Sequence, residues 1–134
     1  MTNEDFPLPT PTPESAPYWE GLREGRLLLQ KCSSCGKLRH YPRPVCDACF
    51  SMQCEWVQAS GRGTIHSWTR THHAFLPVFK QDAPYLLVTV DLEEGPRMNA
   101  RLRGDGRDPV IGTSVICKLE AHDDNWVFPN FVVA

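Results

Sequence analysis

The chain is short of most features that would place a protein at once. Nowhere does it carry an apolar run approaching the roughly 20 residues that a membrane-spanning helix needs. Its first residues show no basic-then-apolar secretion signal. It also lacks the basic excess usual in proteins that live on nucleic acid: 14 Lys and Arg stand against 16 Asp and Glu, a formal charge of −2. There is no Gly-x-Ser-x-Gly and no His-Glu-x-x-His, and none of the five histidines stands in a motif with a nucleophile. Independent catalysis is therefore not expected, because no acid–base constellation can be named. No internal repeat is evident, and only one short stretch reads as helix.

What the chain does have is cysteine in a pattern. Cys32-Ser33-Ser34-Cys35 and Cys46-Asp47-Ala48-Cys49 are two pairs, each with two residues inside it. Such a turn lets both thiolates of a pair face one ion, and two turns joined by a short hairpin complete a tetrahedron of sulfurs. Gly36 suits the first turn, since glycine accepts backbone angles that other residues resist. Zinc is the expected metal, held for structure, because four protein ligands leave no open position for water or substrate. Iron fits the same softness and geometry, and a pair of disulfides is the non-metal reading. Four of the six cysteines in metal spacing, without a secretion signal, point to a reducing cytoplasm. Cys54, five residues on, is read as a buried free thiol rather than a spare ligand.

Around this knot the chain divides into three. Residues 1–16, with Pro7, Pro9, Pro11 and Pro13, read as an extended tail, disordered or laid along a partner. Residues 17–60 read as a helix plus the ribbon. The helix spans Pro17 to Leu27, with Ser15 placed to cap it and Tyr18, Trp19 and Leu22 on its docking side. Leu27 to Lys31 and Lys37 to Tyr41 are strands flanking the first pair, and Phe50 and Trp56 are expected to cover the metal turns. Residues 61–134 have strand periodicity. Thr64 to Arg70 should place His66 and Trp68 on one face and Ile65 on the other. Tyr85 to Leu92 alternates Leu86, Val88, Val90 and Leu92 on a single face. Arg97 to Leu102 turns Met98, Ala100 and Leu102 inward, and Ser114 to Glu120 buries Val115, Cys117 and Leu119. The last strand, near Trp126 to Val132, contains Pro129 and belongs at an edge or bulge. The expected fold is mainly β: a short N-terminal helix, a rubredoxin-like zinc ribbon and a five-stranded barrel of the oligonucleotide/oligosaccharide-binding (OB) kind.

Several of these residues resemble one family. Tyr18-Trp19-Glu20-Gly21-Leu22, Gly25-Arg26-Leu27, Cys32 to Lys37, Pro42-Arg43-Pro44 and the second cysteine pair are similar to the zinc-ribbon plus OB-fold family long known as domain of unknown function thirty-five. Gly63-Thr64, Pro84-Tyr85, Ile111-Gly112 and Pro129 with Phe131 extend the likeness over residues 15 to 132. The resemblance implies a non-catalytic subunit in a hetero-oligomer with a thiolase-like enzyme: a thiolase, an acyltransferase or an aldolase. Other family members imply a MaoC-like enoyl-CoA hydratase or hydroxymethylglutaryl-CoA synthase as the partner. The shared theme is acyl-CoA, which the resemblance implies is bound by the barrel or held in a tunnel of the partner that the barrel shapes.

Two further sets of residues are candidates. Arg39, His40 and Arg43 flank the ribbon and could meet the phosphates of CoA, since arginine forks match phosphate oxygens; otherwise they rim the ribbon against solvent. Trp19, Trp68, His72, His73, Phe75 and Phe79 are candidates for a partner interface, with core packing as the plainer reading of Trp19 and solvation as that of the two histidines. A single-stranded nucleic-acid module is the alternative class, with Trp68 stacking bases, and the net negative charge counts against it.

Overall fold

A computed structural model describes residues 6–134. One helix, α1 (Ala16–Arg23), precedes eight strands: β1 (Leu28–Cys32), β2 (Leu38–Arg39), β3 (Cys54–Gln58), β4 (Arg62–Thr71), β5 (Tyr85–Leu92), β6 (Arg97–Arg101), β7 (Ser114–Ala121) and β8 (Val127–Val133). They form a three-stranded sheet, β2-β1-β3, and a five-stranded sheet, β6-β5-β4-β7-β8. All neighbours within both sheets are antiparallel. The two edges of the larger sheet approach each other where Leu102 bridges Phe131 in parallel and Arg103 N–H donates to the Phe131 carbonyl at 2.8 Å. The barrel is thus nearly closed. Among the described residues no helix is long and apolar enough to cross a membrane.

The helix is shorter than its pattern suggests. It stops at Arg23, and Gly25, at φ 82°, turns the chain so that Leu27 leads into β1 instead of finishing the helix. Ser15 does not cap it; its hydroxyl accepts from Thr12 N–H at 2.8 Å. Tyr18 and Leu22 are buried, as are Leu27 and Leu29, and they join Ile65, Val88, Val90, Met98, Val115 and Phe131 in one cluster. Helix, ribbon strand and barrel therefore share a core, which a ribbon of this size could not supply alone.

In the barrel, β5 follows its alternation as read, with Leu86, Val88, Val90 and Leu92 all buried. β4 departs from it. Its register against β5 slips between Ile65 and Ser67, leaving His66 unpaired in a bulge. Ile65 then faces Val90 and Trp68 faces Val88, so both point inward. Trp68 accordingly packs against the core on the side of Ile65, not with His66. An inserted residue reverses the alternation, which simple counting by twos cannot foresee. Pro129 lies on β8, at an edge of the sheet order, as a residue without an N–H should.

The tail is also ordered where it is described. Phe6 packs on His122, Phe128 and Phe79, with ring centroids 4.1, 5.8 and 5.5 Å away, so this part of the N-terminal segment lies along the barrel of its own chain. Residues 1–5 of the expected flexible tail lie outside the described residues.

Candidate metal centre and the groove beside it

The ribbon sheet ends in two turns that face each other. The first follows β1: Cys32 N–H donates to Lys37 O, and Gly36 N–H donates to Cys32 O, both at 2.9 Å. The second repeats the pattern, with Cys46 N–H donating to Ser51 O and Phe50 N–H to Cys46 O, also at 2.9 Å. Ser34 and Ser51 join the two turns side chain to side chain at 2.9 Å, and Lys37 Nζ spans from one to both carboxylate oxygens of Asp47 at 2.9 and 2.8 Å.

Between the turns the four sulfurs of Cys32, Cys35, Cys46 and Cys49 all lie within 4.8 Å of one another. Cys32 Sγ is 3.5 Å from Cys49 Sγ, and Cys35 Sγ is 3.6 Å from Cys46 Sγ. A tetrahedron with Zn–S bonds of about 2.3 Å places its sulfurs roughly 3.8 Å apart, so the donor set fits zinc. Backbone amides prepare the thiolates. Cys35 N–H points at Cys32 Sγ at 3.5 Å and pulls the Cys32 thiol down to about 6. The backbone N–H of Cys49, then that of Ala48, lowers Cys46. All six cysteines are free of disulfides. The chain thus carries a structural zinc site with no coordination position left over for chemistry.

Three expectations about the ribbon's surroundings need correction. Cys54 is exposed rather than buried; it opens β3, opposite Cys32, where Gln30 Nε2 donates to its sulfur at 3.3 Å. Phe50 does not cover the metal turn: it stands 77% exposed, beside Met52 at 71%. Its place in the turn, at φ 63°, throws the ring outward. Trp56 lies on β3, a strand not foreseen, and packs against the core.

Arg39 and His40 are not the surface rim residues expected. Arg39 is only 5% exposed; its Nε donates to the buried Gln30 Oε1 at 2.6 Å and its Nη2 to the Arg43 carbonyl at 3.3 Å. Gln30 Oε1 also accepts Arg43 N–H at 2.8 Å, so one buried amide organises the whole segment. His40 is mostly buried against Tyr18 and Tyr41, and burial pushes its imidazole down to about 4, leaving it neutral at pH 7. Arg43 keeps an exposed side chain. All three nevertheless line one groove of about 400 Å³ between ribbon and barrel, together with Lys37, Asp47, Asp91 and Arg97.

The interface candidates separate in the same way. Trp19 is half-buried: its indole Nε1 donates to Tyr41 Oη at 2.8 Å, and the ring packs on Trp126 and Phe128 of the barrel. Trp68 is half-buried in the barrel. Phe79 sits under Arg101, whose guanidinium lies 5.4 Å from its ring, and against Phe6. His72, His73 and Phe75 stand together on the exposed loop after β4, with Phe75 89% exposed and edge-on to His73 at 4.8 Å. Arg97 and Arg101 answer carboxylates of their own chain, Asp91 and Asp82.

Two family models match successive stretches of the chain. A family model described as the ChsH2 rubredoxin-like zinc ribbon domain matches residues 19–53, and one described as the ChsH2 C-terminal OB-fold domain matches residues 56–117. A probable enoyl-CoA hydratase alpha subunit of Thermomonospora curvata is 33% identical over 126 residues, 93% of this chain but 39% of that protein. The chain spans about two fifths of that relative. The benzoylsuccinyl-CoA thiolase subunit BbsA of Geobacter metallireducens is 30% identical over 98 residues, 73% of this chain and 59% of that one. The solved structure of an Ltp2-ChsH2(DUF35) aldolase has a chain that superposes with a TM-score of 0.84 at 32% identity, covering 94% of this chain and 98% of that one.

Proposed function

Because the chain belongs to the ChsH2 zinc-ribbon and OB-fold family, also called DUF35, we propose that it is a non-catalytic accessory subunit of an acyl-CoA-processing complex, docked on a thiolase-like enzyme. The observation that carries this is the superposition on a chain of the Ltp2-ChsH2(DUF35) aldolase, with a TM-score of 0.84 at 32% identity, together with a metal site whose four positions would all be filled by sulfur. A rigid body of this kind supplies shape. Its exposed Phe75, with His72 and His73, offers the aromatic anchor that interfaces use, and four cysteines in a metal site with no disulfide among the six suit a reducing, cytoplasmic setting.

The names of two relatives, a thiolase subunit and a hydratase alpha subunit, support partnership with enzymes that act on CoA thioesters. The hydratase name favours a second reading, a MaoC-like enoyl-CoA hydratase as the partner. The single-stranded nucleic-acid reading loses its main support, because Trp68 packs against the core instead of offering a stacking face.

Co-expression tests the proposal. The enzyme encoded beside this chain should co-purify with it in fixed stoichiometry, and Phe75→Asp should release it while leaving zinc content unchanged. An enzyme equally soluble and active without this chain would refute the accessory role.

A further inference from the structure

The groove between ribbon and barrel holds more positive charge than the protein neutralises. Four cations line it, Lys37, Arg39, Arg43 and Arg97, against two carboxylates, Asp47 and Asp91. Lys37 is taken by Asp47, and Arg97 by Asp91 at 2.5 Å. Among the described residues Arg39 and Arg43 have no carboxylate at ion-pair distance; the hydrogen bonds of the Arg39 guanidinium run to a neutral amide and a neutral carbonyl. A guanidinium cannot shed its proton, so a 95% buried Arg39 stays charged without a carboxylate partner, a costly arrangement. Its Nη1 has no protein partner, nor has His40 Nδ1 on the adjacent residue, and both residues line the groove.

We infer that this groove is a binding site for a phosphate group, with the exposed Arg43 fork receiving its oxygens and the buried Arg39 supplying the second charge from beneath. The surplus of two cations matches the charge of roughly −1.5 to −2 that a phosphate monoester carries near pH 7. Two neighbouring forks suit its oxygens better than a single carboxylate, which would leave one charge unanswered. Gln30 positions both arginines through its one carbonyl oxygen. Coenzyme A carries such a group, as does free phosphate or pyrophosphate, and the site as built selects only the shared chemistry. The inference stands apart from the accessory role, because it is read on the isolated chain.

The test is calorimetric titration of the zinc-loaded full chain with inorganic phosphate, pyrophosphate and coenzyme A at constant ionic strength. Saturable binding of at least one is expected, weakened tenfold or more by Arg43→Gln, whose exposed side chain can change without disturbing the fold. Arg39→Lys, which keeps the charge but loses the fork, should weaken the same ligand. Tight binding of coenzyme A alone would identify a phosphate carried on the coenzyme; equal or better binding of pyrophosphate would identify the inorganic ion. No saturable binding by any of the three, or binding that Arg43→Gln leaves unchanged, overturns the inference. The surplus cations would then serve only to balance the negative charge of a metal held by four thiolates.

Discussion

Phe50 occupies in the second metal turn the position that Gly36 occupies in the first. Each follows the second cysteine of its pair, each has positive φ (63° and 79°), and each donates its N–H to the carbonyl of the first cysteine at 2.9 Å. The geometry demands the left-handed region, and only one of the two turns has the residue that enters it freely.

That asymmetry gives the first prediction. A left-handed conformation costs an L-residue about 1–2 kcal/mol, and glycine returns about 0.5–1 kcal/mol of that as unfolded-chain entropy. Phe50 is 77% exposed and loses little packing when removed. Phe50→Gly should therefore stabilise the zinc-loaded chain by roughly 0.5–1 kcal/mol in denaturant titration. Gly36→Ala should destabilise it by about 1 kcal/mol, although the nearest atom to an added Cβ, Lys31 Cε, is 4.0 Å away and leaves room. Equal effects of the same sign would show that the two turns are not equivalent.

Metal binding and folding should be one event here. β1 leads into the first turn and also forms the middle strand of the ribbon sheet, so releasing the ion frees the strand that carries Leu29 into the shared core. Cys46→Ser should lose bound zinc and abolish the cooperative melting of the ribbon, since such small sites contribute on the order of 10–16 kcal/mol. Zinc content by mass spectrometry and a melting curve that both match the parent chain would contradict it.

Strands with strict alternation were legible in the sequence, and so was the metal site, because both depend on spacing alone. β5 alternates by twos over its whole length, and the cysteine pairs are local turns. What spacing cannot carry is tertiary choice. The bulge at His66 inverts the sense of Trp68 because β4 must pair with both β5 and β7 along one curved strand. β3 escaped notice because Cys54–Gln58 is buried on neither side in sequence terms; it exists as a strand because β1 offers it a full edge. Arg39 looks like a surface residue in any sequence, and only the buried Gln30 across the ribbon sheet gives a reason for it to turn inward.

Trp19 is where helix, ribbon and barrel meet. Its N–H reaches Tyr41 on the ribbon side while its ring meets Trp126 edge-on at 5.6 Å and Phe128 at 6.0 Å. Trp19→Ala should cost about 3 kcal/mol of stability, the low end for loss of a large aromatic because the ring is only half-buried. Trp19→Phe keeps most of the packing and should cost about 1 kcal/mol, the contribution of one hydrogen bond. Chemical denaturation separates the two. If both variants cost the same, the ring contacts contribute nothing, and the helix is held by Tyr18 and Leu22 alone.

His40 should make the fold sensitive to mild acid. Burial holds its imidazole at about 4, against 6.5 for the unfolded chain. Between these values the unfolded chain binds a proton that the folded one refuses, so stability is full above pH 6.5 and falls as pH drops toward 4. The loss should reach about 2 kcal/mol by pH 5, at 1.36 kcal/mol for each pKa unit of difference. His40→Gln removes this proton and leaves every other titrating group in place, so the difference between the two chains isolates it. Denaturant midpoints measured from pH 7 to pH 5, with zinc content verified at each step, should show the parent chain losing stability faster than the variant. Parallel curves would mean that the imidazole accepts its proton in the folded chain as readily as in the unfolded one, and that the buried face of the ribbon opens to water in solution.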